Sequence, residues 1–207
     1  MKHTKISDAV VRRLPIYLRF LTDLMNQQTK TVSSATLGQK LDMNPAQIRK
    51  DLAYFGEFGQ KGVGYDVEFL VDKIRQILKL NQQINVALVG AGNLGRALCN
   101  YNMYLKDNMK IVAVFDASPS KIGERFHDLT VQPMEELHVT IATKDIRIGI
   151  ITVPADEAVR VAKQFADAGV EAILNFAPVK MKLPKAIRVH NADFTTELQS
   201  LAYYLDE

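Results

Sequence analysis

An α/β fold with a small helical domain in front of it is what this 207-residue sequence predicts, on three observations. After residue 84, β-branched apolar runs alternate with helix patterns, which is the signature of a parallel sheet covered by helices. The first of those runs, Ile84 to Val89, empties into glycines at GxGxxG spacing. Before residue 81 the apolar residues recur at three- and four-residue intervals between serines, prolines and glycines, as in short packed helices.

Taken in order, the first helix starts at Ser7, an N-cap, with Asp8 in its first turn and Val10, Val11, Leu14, Tyr17, Leu18, Leu21, Leu24 and Met25 at helical spacing. Pro15 removes a backbone donor, so a kink or a break into two helices is expected near Arg13. The polar stretch Thr29 to Val32 ends the element. Ser33 and Ser34 offer N-cap oxygens for a short helix through Leu41, and Asn44-Pro45 caps and starts the next, which runs as AQIRKDLAYF to Gly56. Two short helices joined by Asp42-Met43-Asn44 form a helix-turn-helix. The second helix directs Gln47, Arg49 and Lys50 to its polar side and spaces Ile48, Leu52 and Phe55 for a core. Such donors read base edges and phosphates in a major groove. GEFGQKGVGY, residues 56 to 65, then sets four glycines around Gln60-Lys61 as a hairpin able to lay Lys61 on a phosphate. Helix pair and basic hairpin together make a winged helix. Its candidate DNA contacts are Ser33, Ser34, Gln47, Arg49, Lys50, Tyr54, Lys61 and Gly62. An amphipathic helix from Tyr65 to Leu80, with Phe69, Leu70, Ile74, Ile77 and Leu78 as its apolar stripe, closes this domain, residues 1–80.

The stretch Ile84 to Asp116 carries the chemistry of the second domain, residues 84–190. Gly90 permits the turn out of the strand, Gly92 lets the backbone approach a pyrophosphate, and Gly95 allows the helix to pack on the strand. The phosphates sit at the helix N-terminus, beside Ala91, Asn93 and Leu94. Asp116 lies 21 positions past Gly95, at the end of the next strand, where a carboxylate accepts from a ribose diol and repels a 2′-phosphate. This is a Rossmann-type nucleotide site, and it favours NADH and NAD+ over their phosphorylated counterparts. Lys121 is close enough in sequence to meet an adenosine phosphate, although a solvated lysine is the simpler reading.

Farther on, Leu129 to Val131 reads as a short strand and Pro133 to His138 as a helical turn. IRIGIITV, residues 146 to 153, is a strand buried on both faces, followed by a helix from Asp156 to Ala168 and a second buried strand from Val170 to Asn175. Ligands of open α/β sheets bind beyond the carboxyl ends of strands, which makes Val153, Pro154, Asn175, Phe176, Ala177 and Pro178 the expected nicotinamide walls. Ile187 to His190 is a last short strand. DFTTELQSLAYYL closes the chain, residues 191–207, as a helix with Phe194, Leu198, Leu201, Ala202 and Leu205 on one stripe. Such a helix packs on its own domain or crosses to a partner.

Composition bounds the function. Residues 1–80 hold 13 Lys and Arg against 8 Asp and Glu, and residues 81–207 hold 13 against 15, so a basic first third faces a polyanion. No apolar run approaches the ~20 residues that span a bilayer, and no secretory signal precedes the first helix, so a cytoplasmic chain is expected. Cys99, the single cysteine, excludes an internal disulfide and reads as a buried thiol. His3, His127, His138 and His190 show no ligand spacing, and no metal site is expected.

The motifs RRLPIYLRFL, SSATLG, IRKDLAYFGEFGQKGVGY, VGAGNLGRAL, ITVPA, ILNFAP and DFTTELQSL together resemble the redox-sensing transcriptional repressor Rex family over nearly the whole chain. The resemblance implies a homodimer that binds a palindromic operator when NADH is low and leaves it when NADH binds. It also implies a domain-swapped C-terminal helix that brings Phe194 into the partner's nicotinamide pocket. Arg13, Tyr101 and Asp193 are then a network whose bonds differ between the two states.

Two enzyme-related readings compete. A small NAD-dependent dehydrogenase with a helical cap is weakened by space, since 29 residues follow Pro178, and by the lack of a His or Lys paired with an acid in a catalytic arrangement. A CoA- or nucleotide-binding subunit of a larger enzyme gives the basic winged helix no purpose. The sequence therefore favours a non-enzymatic regulator.

Overall fold

The computed structural model describes residues 6–54, 56, 59–60, 64–101 and 108–205, and the chain divides into two compact units, Met1–Asn81 and Gln82–Glu207. In the first unit α1 (Asp8–Asn26) is capped by the Ser7 hydroxyl, which accepts from the Val10 N–H. It runs through Pro15 without a break, contrary to the expected division near Arg13. Pro15 leaves the Val11 carbonyl without its helical donor, but Val11 is 41% exposed, where water can serve that oxygen. Buried Leu14, Tyr17, Leu18 and Leu21 hold the helix on its core from both sides of the proline.

The polar stretch after α1 contains a strand that the sequence pattern does not show. Thr31–Val32 (β1) pairs antiparallel with Gly64–Asp66 (β3), which in turn pairs with Gly59–Gln60 (β2). Two residues are too few for a period-2 signal, so pairing with the hairpin alone makes them a strand. The helix pair stands as expected. In α2 (Ser34–Leu41) Ser33 accepts from the Thr36 N–H at 3.0 Å, Asp42 ends the helix in the left-handed region, and Asn44 caps α3 (Pro45–Ala53) through the Ala46 N–H. Ser34 is thus the first helical residue and not a second cap. The next helix, α4 (Val67–Ile77), begins two residues later than the apolar pattern suggests, because Tyr65 and Asp66 belong to β3 and Asp66 is the cap. Its buried face is Val67, Leu70, Val71 and Ile74, while Phe69 is 43% exposed, with the Lys73 ammonium 5.7 Å from its ring centre.

The second unit is a seven-stranded sheet in the order β10-β9-β8-β4-β5-β7-β6. In chain order these are β4 (Ile84–Val89), β5 (Met109–Asp116), β6 (Arg125–Phe126), β7 (Leu129–Pro133), β8 (Ile146–Ile151), β9 (Ala172–Asn175) and β10 (Arg188–Asn191). All neighbours run parallel except the β6–β7 hairpin at the edge. The chain goes outward from β4 through β5 to β7, returns to β8 beside β4, and goes outward again, which puts the topological switch point between β4 and β8. Helices α5 (Asn93–Tyr101), α6 (Leu137–Thr143) and α7 (Ala155–Asp167) follow β4, β7 and β8, and α8 (Phe194–Ala202) follows β10.

Alternation along β4 shows why its sequence is apolar at successive positions. Val86 and Leu88 pack with Cys99 of α5 in one cluster, while Ala87 and Val89 pack with Leu137, Ile141 and Phe165 of α6 and α7 in another. A strand covered on both faces needs apolar residues at both parities.

Candidate nucleotide cleft and nucleic-acid interface

Register carries the strand ends to one edge of the sheet. Val89 stands opposite Phe115 and Ile151, Ile151 opposite Asn175, and Asp116 opposite Pro133. A cleft of about 650 Å³ opens at that edge, lined by Gly90, Gly92, Asp116, Ala117, Ser118, Lys121, Met134, Thr152, Val153, Pro154 and the first turns of α7. The glycine loop is shaped by backbone contact. Gly90 has φ +112°, and a Cβ on Gly95 would lie 1.9 Å from the Gly90 carbonyl oxygen, so a side chain at Gly95 forces loop and helix apart. A Cβ on Gly92 would meet nothing within 4 Å, because that position faces open cleft. Thr152 ties the loop to β8, its hydroxyl donating to the Gly90 carbonyl at 2.8 Å.

Asp116 is buried at the floor of the cleft. Its Oδ2 accepts from the Ala91 N–H at 2.7 Å and its Oδ1 from the Ser118 N–H at 2.8 Å, so backbone dipoles hold most of its charge. Lys121, which the sequence suggests is solvated, reaches the same Oδ2 at 3.3 Å and lines the cleft. Ser118, Met134, Glu157, Arg160 and Val161 also line it, although no motif names them, and so does Thr152 of the ITVPA motif, to which the sequence assigns no role. Their signal was positional: Thr152 and Met134 each follow a strand end directly, and Glu157 and Arg160 fall one turn apart at the start of α7, where they pair at 2.5 Å.

The expected nicotinamide walls separate into two groups. Val153 and Pro154 line the cleft. Asn175 is fully buried and holds the following turn, its amide donating to the carbonyls of Ala177 and Val179 and to Asn191 Oδ1, while its own oxygen accepts from the Ala177 N–H. Ala177 is buried with the α6–α7 cluster, Phe176 packs against the α5 side, and Pro178 is exposed. These four residues stand outside the cleft lining. Leu94 is 44% exposed, and Asn93 opens α5.

In the first unit the exposed surface of α3 carries Arg49, Lys50 and, at its end, Tyr54. Arg49 donates to the Ser34 hydroxyl at 3.0 Å, which joins the two helices of the pair. Lys61 and Gly62 lie outside the described residues. Gln47 is not a free polar group as expected: its amide donates to Asp51 Oδ1 at 2.6 Å. Asp51, an acid that no motif marks, has no exposed surface and sits on α3. Arg13 grips it with Nε and Nη2 at 2.6 and 2.8 Å, and the Tyr17 hydroxyl donates at 2.7 Å. Burial pushes the Asp51 carboxyl up, but the bonds from Arg13, Tyr17 and Gln47 outweigh it and hold the group below the usual carboxylate range. Burial, then the bond to Asp51, raises Tyr17. A helical hydrophobic pattern can show that position 51 faces inward, but an acid there reads as a surface residue until Arg13 is brought across from α1.

Of the three residues expected to form a switch, Arg13 is thus engaged within its own unit, and Asp193 caps α8, accepting from the Thr195 and Thr196 N–H groups and the Thr196 hydroxyl. The Thr196 bonds hold Asp193 below the usual carboxylate range. Tyr101 closes α5 with 58% of its surface exposed. Phe194 is 74% exposed, and Leu198, Leu201 and Leu205 share its exposure. Cys99 is buried, which raises its thiol to about 11 and makes it a poor nucleophile.

Known proteins share this arrangement from end to end. Residues 5–53 match the family model described as putative DNA-binding protein N-terminus, and residues 81–179 match the CoA binding domain model. The redox-sensing transcriptional repressor Rex of Brevibacillus brevis is 59% identical over 204 residues, 99% of each chain. The chain belongs to the Rex family. Among solved structures, the Rex-family fold is matched by RSP in complex with β-NAD+ and operator DNA, at TM-score 0.91 and 38% identity over 98% of this chain and 94% of that one. RSP in complex with β-NADH matches at TM-score 0.87 and 36% identity, over 98% and 95% of the two chains.

Proposed function

We propose that this Rex-family chain is a transcriptional repressor that holds operator DNA while the NADH/NAD+ ratio is low and releases it when NADH binds. The observation that carries the reading is one chain with both a helix-turn-helix exposing Arg49 and Lys50 and a dinucleotide cleft at the switch point of a parallel sheet. Complexes of RSP with β-NAD+ and operator DNA and with β-NADH support it.

The residues present fit the cofactor. Open space at Gly92 admits a pyrophosphate against the backbone of Gly90 to Gly95, at the start of α5. Asp116 faces the adenosine ribose, and Val153 and Pro154 lead toward the nicotinamide, with the segment Asn175 to Pro178 beyond them. Desolvating the cationic oxidised ring costs more than desolvating the neutral reduced ring, so apolar walls favour NADH. In this reading the chain acts in the cytoplasm as a homodimer on a palindromic site, without turnover. The exposed stripe of α8 crosses to the partner and seats Phe194 in its pocket. Arg13, Tyr101 and Asp193 form the network whose bonds differ between the DNA-bound and NADH-bound states, and Asp51 joins Arg13 to α3. NADH shifts the equilibrium only by the difference between its affinities for the two states.

A gel shift on promoter DNA with each cofactor tests this. Micromolar NADH should release the fragment and NAD+ should not; DNA affinity unchanged at saturating NADH overturns the proposal.

A further inference from the structure

At the adenosine end of the cleft the groups that exclude a 2′-phosphate and the groups that would bind one stand side by side. Asp116 supplies the carboxylate. Around it are the Lys121 ammonium at 3.3 Å, the Ser118 N–H at 2.8 Å and the Ser118 hydroxyl, itself 2.9 Å from that of Ser120. Asp116, Ser118 and Lys121 all line the cleft. A cation with N–H and hydroxyl donors is the chemistry that holds a phosphate monoester. Here the ammonium and the Ser118 N–H are turned onto a carboxylate of the same chain, and the Ser118 hydroxyl is turned to Ser120.

We propose that Lys121 and Ser118 form a ready-made 2′-phosphate subsite which the Asp116 carboxylate keeps closed by occupying it, and that Lys121 moderates the preference for NADH over NADPH which that carboxylate sets. The inference rests on the dinucleotide reading above and adds to it a latent subsite for a phosphorylated ribose. Lys121 lowers the repulsion that Asp116 exerts on a phosphorylated ribose, and the carboxylate in turn takes up the lysine. With the carboxylate removed, the incoming 2′-phosphate replaces its charge beside Lys121. The lysine then acts as a specificity residue and not as a solvated cation.

The test is titration of NADH and NADPH by the fluorescence of the reduced ring, on wild type and variants. Asp116→Ser should bind NADPH at least about ten-fold more tightly than wild type, the effect of one charge-assisted hydrogen bond, and should bind NADH more weakly. Asp116→Asn, which keeps an acceptor for the Ala91 N–H, should gain in the same direction, and adding Lys121→Ala to either should remove the gain. Lys121→Ala alone, at a partly exposed position, should widen the NADPH-to-NADH Kd ratio several-fold, because the carboxylate then keeps its backbone donors and loses its neighbouring cation. A wild type that binds no NADH overturns the dinucleotide reading and this inference together. A wild type that binds NADH, with no NADPH gain in either Asp116 variant, a gain that survives loss of Lys121, or a Kd ratio unmoved by Lys121→Ala, overturns this inference alone.

Discussion

Asp51 and Asp116 are the buried aspartates among the described residues, one in each unit, and their charges are compensated by different means. Around Asp51 the donors are side chains: Arg13, Tyr17 and Gln47, drawn from α1 and α3. Around Asp116 they are chiefly backbone N–H groups of the glycine loop and of the turn after β5, with Lys121 at longer range. Side-chain compensation fastens α1 to α3 and fixes α3 in its unit. Backbone compensation leaves a carboxylate at the floor of an open cleft, shaped before any ligand arrives. The first arrangement serves rigidity, and the second serves binding.

The comparison breaks most visibly at the loop backbone. Gly95→Ala sets a Cβ against the Gly90 carbonyl oxygen at 1.9 Å, so NADH binding should be lost along with much of the stability of the second unit. Gly92→Val, placed in open space, should leave the melting curve near wild type and still abolish the NADH response. Equal melting and NADH titrations for the two variants would mean that the loop is not set by close backbone contact.

Next in size is the side-chain cluster. Asp51→Ala leaves the Arg13 charge and the buried Tyr17 hydroxyl without their partner, and should destabilise the first unit by about 3–5 kcal/mol in urea melts. Its acid limb has a definite sign. The folded state holds Asp51 below the unfolded value of about 3.9, so its contribution is complete above that pH and is lost as pH falls through the folded value. Asp51→Asn should flatten the loss of stability below about pH 4, and an unchanged slope would remove Asp51 from the acid response.

The smallest effect sharpens the division between units. Arg49→Ala should weaken operator binding by about 1–3 kcal/mol and leave NADH affinity unchanged. Equal operator affinity in a titration would refute its role as a contact.

Much of the fold could be read along the chain, because local chemistry repeats there. Ser33, Asn44 and Pro45 mark the helix pair, the GxGxxG glycines mark the turn after β4, and two-sided apolar runs mark β4, β5 and β8. What escaped depends on partners distant in sequence. Thr31–Val32 is a strand only because β3 lies beside it, and Phe69 turns outward because Val67, Leu70, Val71 and Ile74 take the buried face of α4. The unbroken passage of α1 through Pro15 likewise depends on how Leu14, Tyr17 and Leu18 are buried.

The candidate site divides in the same way. Gly90, Gly92, Gly95 and Asp116 have fixed spacing, since strand, turn and helix have fixed lengths, and the sequence alone determined that they meet. The capture of Arg13 and Tyr17 by Asp51, and the bond of the Thr152 hydroxyl to the Gly90 carbonyl, were decided only by the tertiary structure. Each depends on which hydrogen-bond donors a buried polar group finds within about 3 Å, and that is settled by packing between segments and not by spacing within one.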